Sequence, residues 1–169
     1  MRKLVLPLLL LAGCGDGTDG RNPRSNQVES RIDTSTLTGL YEGGGGVRAD
    51  QLCMIGGDAA ERADRAAFGI LVWGTNLASC AGSGTARRAG DRLILRMAGD
   101  QPCEVEAVIR DGQVRLPTEV PESCSYYCGD TARLSGAGFR KTADTIADAM
   151  KARDLVGEPL CEGLQPPDE

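Results

Sequence analysis

Short runs in which apolar and polar residues alternate recur along this chain from residue 37 onward. The clearest run is 103–110, in which the odd-numbered residues are apolar and would face a core, while Glu104, Glu106 and Arg110 would face water. The dipeptide Asp111-Gly112 follows, which is typical of a two-residue hairpin turn, and residues 113–117 would return beside the first strand. The pattern therefore predicts a β-hairpin.

Six further runs have the length, the apolar pattern and the turn-rich flanks of strands. They cover residues 36–42, 52–55, 68–73, 83–88, 92–97 and 131–135. Residues 58–67 are instead Ala-rich and charged, and Asp58 and Glu61 have capping-box spacing, which predicts a short helix. About eight short strands at fairly even spacing predict a mainly β fold, a small antiparallel β-barrel or sandwich.

The C-terminal part of this domain predicts an α-helix over residues 142–156. One apolar face follows the i, i+3, i+4, i+7 spacing of a helix and consists of Ala143, Ile146, Ala147 and Met150. Gly157 stands where a helix C-cap is expected. We expect this helix to pack across a face or an opening of the β structure.

The first fourteen residues combine three features in a specific order. Arg2 and Lys3 give a positive start, residues 4–12 are apolar, and the segment ends in Leu11-Ala12-Gly13-Cys14. The apolar run is too short for a membrane-spanning helix, which needs about 20 residues, and it suits the h-region of a signal peptide. The segment resembles a bacterial lipoprotein signal with its lipobox.

This resemblance implies that residues 1–13 are cleaved and that Cys14 is lipidated, with two or three fatty acyl chains (palmitate or similar) anchoring the protein to the cell envelope. Gly15 in place of Asp implies the outer membrane, with the domain facing the periplasm or the cell surface. Residues 14–36 would form the lipidated cysteine and a flexible tether rich in Gly, Asp, Ser and Thr. Residues 37–169 would form a single domain.

Composition and charge narrow the possible chemistry. The chain contains no histidine, which excludes Ser-His-Asp and Cys-His catalytic units, and no other catalytic motif is present, so we expect no enzyme. The net charge of −5 gives no electrostatic footprint for nucleic acid and would suit a cationic partner. The sequence predicts no cofactor and no metal site.

Seven cysteines are present, and lipidation of Cys14 would leave an even set of six that predicts three disulfides in an oxidising compartment. The predicted hairpin brings Cys103 close to Cys124, which favours that pair. We expect Cys128 to pair with Cys161, which leaves Cys53 with Cys80 by elimination. Zinc binding and redox chemistry are the alternatives, and the three-residue spacing from Cys124 to Cys128 speaks against a zinc knuckle.

Three aromatic residues are candidate partner contacts. Tyr126 and Tyr127 lie between two cysteines in a loop that disulfides would constrain, although packing beneath that loop is the alternative for each. Trp73 ends the most apolar strand, which equally favours a place in the core.

The sequence therefore predicts a lipid-anchored binding module without naming its partner. One alternative is a carrier of a small apolar ligand or lipid, because Gly39-x-Tyr41 and the C-terminal helix are similar to the Gly-x-Trp motif and the helix of lipocalins. A second alternative is an inhibitor of a cationic cell-wall hydrolase, since small barrel lipoproteins that block lysozyme look broadly similar. The partner stays open between an unknown protein and a small molecule.

Overall fold

The described part of the chain forms a closed barrel of eight antiparallel strands. The computed structural model describes residues 32–44, 48–57 and 63–165. Each strand pairs with the next along the chain, and the last strand pairs with the first, so the sheet has no free edge. The predicted mainly β class is confirmed, and of the two predicted architectures the molecule adopts the barrel.

The strands are short and most are joined by short turns. They are β1 (Gly39–Gly43), β2 (Asp50–Gly56), β3 (Arg65–Trp73), β4 (Ser79–Ala89), β5 (Arg92–Met97), β6 (Glu104–Arg110), β7 (Gln113–Arg115) and β8 (Gly138–Ala143). Between β6 and β7, Asp111 and Gly112 have φ values of 48° and 71°, as a type I′ turn requires. The predicted hairpin is therefore confirmed.

The barrel interior is filled by side chains from all eight strands. Alternate residues of each strand point inward, as in β6, where Val105, Ala107 and Ile109 are buried and their neighbours are exposed. Larger side chains from other strands, among them Tyr41 and Phe68, complete this core. The interior is therefore a packed core like that of other small barrels.

The two ends of the barrel differ because successive loops alternate between them. The long-loop end carries the connections that follow β1, β3, β5 and β7, which include residues 74–78, 98–103 and 116–137. The strap end carries the connections after β2, β4 and β6, of which those after β4 and β6 are two-residue turns. Residues 32–38, which we call the strap, lead into β1 at this second end.

A buried lysine holds the strap in place. The side chain of Lys141 points inward from β8, is only 4% exposed, and donates hydrogen bonds from Nζ to the carbonyl oxygens of Asp33 and Thr36. The Tyr41 hydroxyl donates to the carbonyl oxygen of Leu37 at 2.9 Å. The strap thus supplies the acceptors that a buried ammonium group requires.

The segment after β8 packs along the outside of the barrel. A four-residue helix, α1 (Ile146–Ala149), follows β8. Its N-cap is Thr145, whose hydroxyl accepts a hydrogen bond from the backbone N–H of Asp148. A second small apolar cluster forms where this tail meets the outer face of β2. Its buried members are Cys53, Ile55, Ala149, Ala152 and Cys161.

Two sequence predictions about secondary structure are wrong, and a third is wrong in the part that the structure describes. The helix predicted over 142–156 is only α1, because Ala143 belongs to β8 and the chain turns after Ala149. Residues 131–135 form turns, and the eighth strand is β8. Within the helix predicted over 58–67, residues 65–67 lie in β3, whereas residues 58–62 lie outside the described residues.

The six described cysteines form three disulfides, as predicted, and one of the three predicted pairs is confirmed. That pair is Cys103–Cys124. The other two predicted pairs are wrong, since the molecule joins Cys53 to Cys161 and Cys80 to Cys128. Both predictions failed because the segment after β8 packs against the outer face of β2, which brings Cys161 next to Cys53.

Candidate functional site

The longest loop, residues 116–137, closes the long-loop end of the barrel. Leu116, Ala132 and Leu134 are buried and extend the core of the barrel into the loop. Disulfides tie the middle of the loop to the barrel through Cys124 and Cys128. The loop is therefore held on its inner side by packing and along its length by covalent bonds.

Tyr126 stands between these two disulfides and is 62% exposed. It lies in a 3-10 helix, Glu122–Tyr127, that joins the two bridged cysteines. Its ring meets the Tyr127 ring edge to face, with centroids 5.3 Å apart and planes at 84°. An aromatic side chain in this setting is presented to solvent in a defined orientation.

Tyr127 packs against the Tyr126 ring and is itself fixed by the surrounding strands and loops. It is half-buried, and its hydroxyl donates to the carbonyl oxygen of Gln101 at 2.8 Å, in the loop after β5. A Cβ atom on Gly82 would clash with Cε of Met97 and would lie 3.3 Å from the Tyr127 ring, so the glycine leaves room for both side chains on β4. The two predicted contact tyrosines thus take different places, one exposed and one packed.

A cavity of about 640 Å³ opens between the two arms of the loop, and Ser125, the residue before Tyr126, is part of its lining. Its lining contains three carboxylate side chains, Glu119, Glu122 and Asp130, and one guanidinium group, that of Arg133. Nη1 of Arg133 donates to the backbone carbonyl oxygens of Asp130 and Ala132, at 2.9 and 2.7 Å. The residues of the cavity wall therefore carry more negative than positive charge, which favours a cationic group over an anionic one.

Trp73 lies at the same end of the barrel but on its outer side. The guanidinium carbon of Arg48 sits 4.7 Å from the centre of the Trp73 ring, and the Trp73 backbone N–H donates to Oδ1 of Asp50 at 2.8 Å. Burial raises the pKa of Asp50, and this hydrogen bond partly offsets the rise. Trp73 is half-buried and is engaged within the fold, apart from the loop that carries Tyr126 and Tyr127.

Sequence reasoning singled out the two tyrosines as candidate contacts but did not predict the acidic cavity in the same loop. Glu119, Glu122 and Asp130 flank the cysteine-bounded loop in the sequence, and that flanking charge was the available signal. The predicted lipidation site Cys14, the signal 1–13 and most of the tether, through residue 31, lie outside the described residues. No helix in the described ranges is long and apolar enough to cross a membrane.

Comparison of the chain with protein-family models, with curated proteins and with solved structures found no match. Function is therefore inferred from the residues of the long-loop end.

Proposed function

We propose that this protein is a lipid-anchored envelope module that binds a cationic protein at the long-loop end of its barrel. The observation that carries the proposal is Tyr126, an exposed aromatic side chain held between two disulfides beside a cavity lined by carboxylates. A rigid tyrosine loses little conformational entropy on binding, and tyrosine is among the residues that dominate interface energies. The carboxylates would attract the partner and speed its association.

The proposed anchor suits this orientation. The lipobox at Cys14 precedes the strap, and the strap leads into the barrel at the end opposite Tyr126. A tether attached there leaves the long-loop end free of the attachment point. Three disulfides are consistent with an oxidising envelope compartment.

An inhibitor of a cationic cell-wall hydrolase is the form of this proposal that is simplest to test. The net charge of −5 becomes −7 if cleavage removes Arg2 and Lys3, which lowers the basic count from 19 to 17 against 24 acidic residues. Such a charge favours capture of a basic enzyme. A ligand carrier would need interior space, and the packed core described above gives that alternative no support.

Photo-crosslinking in intact cells tests the proposal and can identify an unknown partner at the same time. Tyr126 would be replaced by p-benzoylphenylalanine, with Val108, an exposed residue on the outer face of β6, as the matched control position. We expect a crosslinked adduct with a basic protein from position 126 and none from position 108. The absence of an adduct at position 126, or equal adducts at both positions, would contradict the proposal.

Binding to lysozyme tests the inhibitor form. We expect the wild-type protein to bind immobilised lysozyme, and Tyr126→Ala and the combined Glu119→Gln, Glu122→Gln, Asp130→Asn variant each to raise the Kd by about tenfold. Glu106→Gln, which removes an exposed carboxylate from β6, is the charge control. Wild-type binding that is unaffected by either cavity variant would reject the inhibitor form.

A further inference from the structure

Exposed apolar side chains concentrate at the long-loop end. Seven large apolar side chains are exposed among the described residues, and besides Tyr126 three others lie at this end: Leu77, Leu155 and Val156. Leu77 is 71% and Val156 is 81% exposed. Apolar side chains grouped at one end of a soluble domain indicate a contact surface.

Leu77 is held in an unfavourable backbone conformation without any gain from packing. Its φ is 64° and that of Asn76 is 56°, both in the left-handed region that bulky residues avoid. Hydrogen bonds fix the surrounding loop, from the Gly74 N–H to the Ala78 carbonyl oxygen at 2.8 Å and from the Thr131 hydroxyl to the Thr75 carbonyl oxygen at 2.7 Å. The fold therefore maintains a strained leucine with its side chain in solvent, which points to a use outside the fold.

The turn that carries Leu155 and Val156 is equally well ordered. Oδ1 of Asp154 accepts hydrogen bonds from the backbone N–H groups of Val156 and Glu158, both at 2.9 Å. The chain on either side pairs, because Arg153 and Pro159 form an antiparallel bridge, and the Cys53–Cys161 disulfide follows two residues later. Two aliphatic side chains thus project from a rigid turn, which lowers the entropy cost of binding.

Strand order places these residues in one sector of the rim. The Arg153 N–H donates to Oε1 of Gln51, at the start of β2 on the long-loop end. Leu77 lies in the connection from β3 to β4, and Cys128, two residues from Tyr126, is bridged to Cys80 on β4. Neighbouring strands are about 4.8 Å apart, so β2 and β4 are separated by about 10 Å.

We infer that Leu77, Leu155 and Val156, which we call the apolar rim, contact the same cationic protein that the proposed function assigns to the Tyr126 loop. This inference rests on that proposed function and extends its interface by one sector of the barrel. The occupant is a protein surface with an apolar patch bordered by basic groups, because Asp154 and Glu158 flank the two aliphatic residues and outnumber the one base there, Arg153. Asp130 adds a further carboxylate in the loop bonded to the Leu77 turn. These carboxylates disfavour an anionic lipid surface.

The experiment uses the full chain in its native envelope with p-benzoylphenylalanine placed at position 77, 126, 156 or 146. Position 146 is the matched control, because Ile146 is also exposed but lies in α1, just after β8 ends at the strap end. We expect one basic protein, identified by peptide sequencing, in the adducts from positions 77, 126 and 156, and no adduct from position 146.

Two variants test whether the apolar rim contributes to binding. In a chain that carries the photo-reactive residue at position 126, we expect Leu77→Asn or the pair Leu155→Ser and Val156→Ser to lower the adduct yield about fivefold, and Ile146→Ser to leave it unchanged. Asparagine tolerates the left-handed conformation better than leucine, so Leu77→Asn should fold with an unchanged or higher Tm. A drop in yield from this variant therefore reports a lost contact.

The outcomes separate this inference from the proposed function. An adduct at position 126 that is absent at positions 77 and 156, or a yield insensitive to both rim variants, would overturn the rim and leave the proposed function standing. The absence of any adduct would overturn both. Lipid adducts at positions 77 and 156 would show that the rim faces a membrane and would also overturn the inference.

Discussion

At the scale of single residues, the most consequential side chain is Lys141. Its ammonium group occupies an inward position of β8 and lies 5.7 Å from the centre of the Tyr41 ring. Burial lowers the pKa of Lys141, and the nearby carboxylates of Asp33 and Asp144 partly counter that effect. The backbone carbonyl groups of the strap replace the water that the ammonium group loses.

The substitution Lys141→Met should release the strap. The carbonyl oxygens of Asp33 and Thr36 lose their donor, while methionine still fills the space of the aliphatic stem. We expect amide hydrogen exchange in the strap to become about tenfold faster, which corresponds to about 1.4 kcal/mol of local stability. Lys151→Met, which removes an exposed lysine from its pair with Asp148, is the control, and unchanged strap exchange in Lys141→Met would contradict the assigned role.

Deprotonation of Lys141 and of Tyr41 at alkaline pH should change the stability of the folded protein in opposite directions. The pKa of Lys141 is below its ordinary 10.5 in the folded protein, so between the lowered pKa and 10.5 the unfolded chain binds more protons and stability rises with pH. Burial raises the pKa of Tyr41 above its ordinary 10.0, so above pH 10 the unfolded chain releases a proton that the folded chain keeps, and stability falls.

Urea unfolding from pH 7 to pH 11 separates these two effects. We expect Lys141→Met to lose the rise and to show a steeper fall above pH 10, and Tyr41→Phe to show a weaker fall than the wild type. Tyr126→Phe, which removes a hydroxyl from an exposed ring, should follow the wild-type profile. Identical profiles for all four proteins would show that neither buried group titrates as described.

At the scale of elements, β8 explains why the C-terminal third was the hardest part to predict. Its inward positions hold Phe139 and Lys141, and a lysine at a core position breaks the alternation that identifies a strand. Residues 131–135 imitate a strand because Ala132 and Leu134 are both buried, although turns place them there. Strands with regular alternation were predicted well, as β5 at residues 92–97 illustrates.

The arrangement of the strands and of the segment after β8 also explains which disulfides could be predicted. Cys103 and Cys124 were predictable because one hairpin and one short loop separate them, whereas the other two pairs depend on strand order and on the path of the tail. Sequence separation makes this plain, since Cys53 and Cys161 are 108 residues apart. Long-range pairings of this kind leave no local pattern.

Removal of the Cys53–Cys161 disulfide should free the tail from the barrel. We expect the Cys53→Ala, Cys161→Ala variant to lose about 2–4 kcal/mol of unfolding free energy and to become sensitive to trypsin at Arg153, which lies in the tail beside β2. The Cys80→Ala, Cys128→Ala variant also loses one bridge and is the matched control. It should keep Arg153 protected, and cleavage at Arg153 in both variants would contradict a specific role for the tail bridge.

At the scale of the whole molecule, the two ends of the barrel carry different structural features. The strap end receives the chain from the proposed anchor, and the long-loop end presents Tyr126, the acidic cavity and the apolar rim. The sequence singled out the two tyrosines as candidate contacts because flanking cysteines mark their loop. It could not predict the cavity or the rim, because residues far apart in the chain meet there only after the strands have closed.

This polarity predicts an orientation at the membrane. A fluorescent amino acid in place of Asp91, in the turn between β4 and β5 at the strap end, should be quenched more strongly by a lipid headgroup quencher than one in place of Tyr126. The measurement uses the full lipidated protein in vesicles. The unlipidated protein is the control, and equal quenching at both positions would contradict the proposed orientation.

Closure of the barrel also affects how fast the chain can fold. Leu40 in β1 pairs with Ala143 in β8, so the first strand must wait for one that follows it by about a hundred residues, and such distant pairings form slowly. In a chain exported with its amino end first, β1 would emerge early and remain an unpaired edge until β8 arrived. During that interval the exposed strand would attract proteases and other unfolded chains, so the proposed export of this protein should depend on holding chaperones.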